Sequence, residues 1–96
     1  MDSQQLSSLV LNALEELKGQ DIVCLDVSSL TSLTDFMIIV SGTSNRHVKA
    51  LSNSVLEKTK GSGSPPTGVE GLDSSEWILL DLGDILVHVM LPRVRE

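Results

Sequence analysis

Apolar residues at Leu6, Leu9, Val10, Ala13, Leu14 and Leu17 recur at intervals of three and four. That spacing puts them on one stripe of a helix and predicts it over residues 3–18, with Gly19 as the expected stop. Its polar side is acidic, so the stripe is expected to face a core rather than a membrane surface. A short strand is predicted over 22–27, then a loop rich in serine and threonine, then a strand over 35–40. Within the latter, Phe36-Met37-Ile38-Ile39-Val40 shows no alternation, the pattern of a strand covered on both faces and therefore central in its sheet. Ser41-Gly42-Thr43-Ser44 closes it, and Ser44 is placed to cap a helix over 45–60 that turns Val48, Leu51 and Val55 inward.

Gly61-Ser62-Gly63-Ser64-Pro65-Pro66 is a flexible connection, too short for a domain boundary. A short strand over 67–70 follows, which the prolines confine to a sheet edge or a strand start. Residues 77–82 and 85–91 read as a hairpin turning at Leu82-Gly83, with the glycine at positive φ. The order of elements gives an α/β fold, a mixed sheet of about five strands with packed helices. The strands on either side of the second helix can form a right-handed crossover if they run parallel.

Ninety-six residues suit a single domain with one small core. Thirteen acidic against seven basic residues give a net charge of −6, which argues against wrapping a phosphate backbone and for a protein partner with a basic surface. Direct sequence-specific nucleic-acid binding is therefore not expected. The lone Cys24 excludes an internal disulfide and a thiolate cluster, and on a strand between Val23 and Leu25 it is expected to be a small buried residue. With no secretory signal and no apolar run long enough for a bilayer, a cytoplasmic protein without membrane contact is expected.

Ser41-Gly42-Thr43-Ser44, between strand and helix, admits two readings: an ordinary turn and cap, or exposed N–H groups holding a phosphate. Neither the P-loop nor the dinucleotide spacing accompanies it. Metal-dependent nucleotidyl transfer needs carboxylates that share a strand face, whereas Asp81 and Asp84 lie on either side of a hairpin tip. No metal or cofactor is expected. His47 and His88 have no evident nucleophile beside them and are expected to be hydrogen-bonded structural histidines. Trp77 suits either a core or an interface. Alternation along its strand sends Trp77, Leu79 and Asp81 to one side and Ile78, Leu80 and Leu82 to the other, so only one set need be core. The segment Trp77, Leu79, Leu80, Asp81, Leu82, Gly83 and Asp84 is accordingly the expected partner contact.

In order and spacing, Leu25-Asp26-Val27, Asp35-Phe36, Ser41-Gly42-Thr43-Ser44 with Arg46-His47-Val48, Glu70-Gly71, and Trp77-Ile78-Leu79-Leu80-Asp81-Leu82-Gly83-Asp84 with Val87-His88 resemble the Iojap-like ribosomal silencing factor family over residues 3–95. The resemblance implies a fold similar to nucleotidyltransferases without their catalytic carboxylates, and no enzymatic activity. It implies binding to a ribosomal protein on the joining face of the large subunit, exclusion of the small subunit, and lowered translation. Phe36 and Leu82 stand where members often carry tyrosine, which removes hydroxyls that can bond at the interface. Members usually continue past the Arg95 position into an aromatic, acidic helical tail, so a domain without that tail is expected here. Two other readings compete: a small nucleotide-binding or nucleotidyltransferase-like enzyme, and a homodimer formed through an uncovered strand edge.

Overall fold

The computed structural model describes residues 2–95. Its elements are α1 (Ser3–Glu16), β1 (Gln20–Asp26), β2 (Phe36–Ser41), α2 (Asn45–Gly61), β3 (Gly68–Glu70), β4 (Trp77–Asp81), β5 (Ile85–Met90) and α3 (Pro92–Arg95). The five strands form one open sheet in the order β1-β2-β5-β4-β3. Only β2 and β5 pair in parallel; the other three pairings are antiparallel. The expected mixed α/β sheet with packed helices is thus observed.

Both long helices start where a side chain can accept from their free N–H groups. Asp2 accepts from the Gln5 N–H at 2.8 Å while the Gln5 side chain accepts from the Asp2 N–H, a reciprocal box that closes the first turn of α1. Ser44 caps α2 by accepting from the His47 N–H at 3.1 Å. The end of α1 differs from expectation. Lys18, not Gly19, takes the left-handed conformation (φ 59°), and the N–H groups of Lys18 and Gly19 return to the carbonyls of Glu15 and Leu14. Gly19 is needed for room instead: a Cβ there would lie 2.7 Å from Val40 Cγ2.

Helices α1 and α2 lie side by side on one face of the sheet. Leu6, Val10, Ala13, Leu14, Val48, Leu51 and Val55 meet Ile38, Val40, Ile78, Leu80, Ile85, Val87 and Val89 there in a single core. Each fully buried aliphatic contributes about 1.5–3 kcal/mol relative to exposure, so this layer carries the stability of the domain. The Glu16–Lys58 ion pair at 2.5 Å ties the two helices at their surface.

Two expectations need correction. The centre of the sheet is β5, with β2 beside it, and β2 is covered on one face only: Ile38 and Val40 are buried, whereas Met37 and Ile39 are half-exposed. Cys24 is exposed, because β1 is an edge strand that reaches past the helical cover. The strands flanking α2, β2 and β3, do run parallel as the crossover expectation required, with β5 and β4 between them in the sheet. The hairpin forms as expected, with Gly83 at φ 84°.

Candidate functional site

The pleat divides the apolar residues of the sheet between two faces, and the outer one has no long helix over it. Pairing aligns its side chains in rows across the strands. One row runs Val23, Ile39, His88, Leu79, Glu70; the next runs Leu25, Met37, Leu86, Asp81, Gly68; a third runs Gln20, Ser41, Met90, Trp77. Most of these side chains are apolar, and Trp77 is 51% exposed. Contiguous apolar surface of this kind is uncommon on a monomer and marks interaction sites.

Trp77 divides this surface. On one side lies a shallow cleft of about 330 Å³ lined by Glu70, Gly71, Trp77 and Leu79. On the other lies one of about 410 Å³ lined by Met37, Ile39, Trp77, His88, Met90, Val94 and Arg95. The short helix α3, which the hydrophobic pattern did not reveal, borders the second cleft, and Arg95 Nη1 donates to Ser41 Oγ at 2.9 Å. Gly71 (φ 89°) lies against the Trp77 backbone; a Cβ there would stand 2.0 Å from the Trp77 carbonyl oxygen.

The indole is held at its polar end. Trp77 Nε1–H donates to His88 Nδ1 at 3.1 Å, and the rings lie 5.9 Å apart at 38°. An indole nitrogen can only donate, so His88 accepts with Nδ1 and carries its proton on Nε2. Burial of the imidazole holds the pKa of His88 below its ordinary value, which keeps the accepting form at neutral pH.

At the hairpin tip the acidic residues shape the turn. Asp81 Oδ1 accepts from the Gly83 N–H at 2.9 Å. The Asp84 carbonyl accepts from the Asp35 N–H (2.8 Å), the Phe36 N–H (3.1 Å) and the Thr34 hydroxyl (2.8 Å), which fixes the tip to the start of β2. Of the segment expected to meet a partner, Trp77, Gly83 and Asp84 are exposed and Leu79 and Asp81 half-buried on the outer face. Leu80 and Leu82 are not available: Leu80 points into the helix-covered core with no exposed surface, and Leu82 keeps 8%. Sequence reasoning assigned a contiguous stretch, whereas a strand offers alternate residues and its neighbours complete the face. Met37, Ile39, Leu86 and His88 lie on the same face as Trp77 and Leu79, outside that stretch.

The strand-to-helix turn is hydrogen-bonded within the chain. The Gly42 N–H donates to the Met90 carbonyl (3.0 Å), the Thr43 N–H to His47 Nδ1 (2.9 Å) and the His47 N–H to Ser44 Oγ. Three N–H groups of the turn are thus engaged within the chain. His47 Nε2 completes the arrangement at 2.7 Å from the Leu17 carbonyl, which joins the end of α1 to the start of α2. Both histidines are thus hydrogen-bonded. Cys24 has a thiol pKa raised by partial burial and then by the Asp26 carboxylate, which disfavours the thiolate. Among the described residues, no three His, Cys, Asp or Glu side chains converge as a metal site.

The family profile described as "Ribosomal silencing factor during starvation" matches residues 1–96. The chain belongs to the family of ribosomal silencing factors. It is 54% identical to the ribosomal silencing factor of Chromobacterium violaceum over 96 residues, covering 100% of this chain and 79% of that protein. It is 41% identical to that of Haemophilus influenzae over 91 residues, covering 95% and 89%. A crystal structure of a Chromobacterium violaceum protein superposes with a TM-score of 0.97 at 55% identity, over 99% of this chain and 79% of that one. The family resemblance carried by the sequence motifs is therefore correct, and the role that goes with it is ribosome-binding and regulatory. No helix among the described residues is long and apolar enough to cross a membrane.

Proposed function

We propose that this domain docks through the outer face of its sheet on a ribosomal protein of the large subunit, at the surface that receives the small subunit, and represses translation by occupying that surface. The observation that carries this reading is the uncovered apolar face built around Trp77 in a ribosomal silencing factor. Aromatic residues at the centre of an apolar patch are the usual anchors of a protein interface. Trp77, Leu79, Leu86, Met37 and Ile39 form the anchoring surface, and Asp81, Gly83 and Asp84 at the hairpin tip form its acidic rim. A net charge of −6 favours a basic partner surface and speeds encounter with it. Blocking requires affinity and bulk and no bond making.

Self-association through the β1 edge is the weaker alternative. Asp21 at φ 49° and the irregular register between Gln20 and Val23 disrupt the regular ladder that an added strand would extend.

Sucrose-gradient analysis of separated subunits mixed with the protein tests the proposal. The protein should sediment with the large subunit and lower the yield of joined ribosomes, and excess small subunits should relieve the effect, because occupancy of a shared surface follows mass action. Co-migration with joined ribosomes at undiminished yield would overturn steric exclusion.

A further inference from the structure

His88 stands at the middle of the outer face, on the central strand, between Ile39 and Leu79 across the sheet. A histidine in an otherwise apolar row is costly to place there unless its ring nitrogens are used. One is: Nδ1 accepts the Trp77 indole N–H across the diagonal between β5 and β4. Trp77 itself is half-exposed, with open clefts on both sides, so packing alone leaves the ring room to swing. The hydrogen bond is what fixes its polar end.

We propose that His88 is the positioning residue of the docking face: its unprotonated Nδ1 holds the Trp77 indole in the orientation that meets the partner, and protonation of His88 releases the indole and weakens docking. This rests on the outer face being the docking surface. The chemistry is simple. Nδ1 can accept only while its lone pair is free; once it carries a proton, two N–H donors face each other and the bond is lost. The ring that must be desolvated at the interface then regains its freedom, and docking must supply the ordering.

The charged groups around His88 are few. From α3, Arg95 faces the same cleft; from β3, Glu70 lies at the far end of the same row, about 10 Å away at the usual strand spacing; from β4, Asp81 lies in the adjoining row. The outward residues that β2 and β1 place beside it, Ile39, Met37, Val23 and Leu25, are all uncharged. Burial keeps His88 neutral at physiological pH, so the orientation is set there and is lost only on acidification.

Trp77 is the only tryptophan, so the intact protein has a single indole N–H signal in a ¹⁵N spectrum. That signal should move with the same midpoint as the His88 ring as pH falls from 8 to 5, and its exchange with solvent should quicken through the same transition. Co-sedimentation with isolated large subunits is the second readout. His88→Leu, which removes the acceptor, should weaken co-sedimentation about three- to tenfold at pH 7.5, the worth of one hydrogen bond, and should lose the part of the pH dependence that wild type shows. His88→Asn, with an amide oxygen near the Nδ1 position, should restore most of the affinity without the titration. If the indole signal ignores the His88 titration, or a folded His88→Leu docks as wild type does with the same pH profile, the positioning role is wrong while the docking surface stands. If wild type does not sediment with the large subunit at any pH, the docking surface is wrong and the role of His88 in docking falls with it.

Discussion

Ile38 and Ile39 are the same residue at successive positions of one strand, yet they belong to different parts of the molecule. Ile38 is fully buried under α1 and α2; Ile39 is half-exposed in a cleft beside Trp77. Both faces of the sheet are mostly apolar across β2, β4 and β5, the outer one interrupted by Ser41, Asp81 and His88. What separates them is the number of helices. The inner face shows that apolar side chains make a core where there is something to cover them, and the outer face shows apolar side chains kept where no long helix does. A surface of that kind carries the cost of exposure in the free protein, and binding a partner recovers it.

The difference can be broken most forcefully at Leu79 and Leu80. Leu80→Ala should cost about 2–5 kcal/mol of stability, as truncation of fully buried leucines does. Leu79→Ala should cost well under half of that. Urea unfolding of both variants checks it, and equal losses would mean that the outer face is a core in its own right. Next in size is Trp77→Ala, with the opposite signature. Docking on the large subunit should weaken by about 2 kcal/mol or more, roughly thirtyfold, the effect expected of an aromatic anchor, while the midpoint of unfolding changes little. A folded Trp77→Ala that docks at full strength would remove the anchor from the interface. A finer comparison is Ile38→Val against Ile39→Val. The first should lose about 0.5–1.5 kcal/mol, and the second should stay within about 0.5 kcal/mol.

Much of this arrangement was legible in the sequence, and the gaps have physical causes. Helical stripes, the Ser44 cap and the Gly83 turn follow from local rules, and α2 and the hairpin fall where those rules put them. The unbroken apolar run of β2 was misread because hydrophobicity reports on both core and interface, and only coverage tells them apart. Coverage was within reach. Two helices, each about 10 Å across, span one face of a five-stranded sheet about 20–25 Å wide and leave nothing for the other. Applied to β2, that estimate would have turned Met37 and Ile39 from core residues into surface ones. The contiguous stretch from Trp77 to Asp84 failed at Leu80 for a related reason: a site on a sheet is read across strands, through pairing that the sequence does not display. His88 was assigned a structural role without its partner, since the diagonal to Trp77 exists only once β4 and β5 are in register. The family motifs had no such difficulty, because order and spacing survive without knowledge of the pairing.

The smallest expected effect concerns pH, and it distinguishes the faces because the inner one contains no titrating side chain in its middle rows. In the unfolded chain His88 titrates at its ordinary value of 6.5; in the fold, burial holds it lower. Between those two values the unfolded chain carries more protons than the native one, so stability rises with pH in that window. The His88 contribution is therefore fully present above about 6.5 and is lost as pH falls toward the native value. Carboxylates also titrate on acidification, among them Asp26, whose pKa is lowered by its hydrogen bonds from the Ser28 hydroxyl and N–H. A difference between proteins removes them. Urea unfolding of wild type and His88→Asn at pH 7.5 and 5.5 isolates the histidine, since the variant keeps every carboxylate and has nothing to protonate at position 88. Wild type should lose more stability than the variant over that interval, and the indole signal of Trp77 should begin to shift in the same range. Equal losses in the two proteins would show that His88 titrates in the fold as it does in the open chain, and the outer face would then be as permissive to charge as ordinary solvated surface.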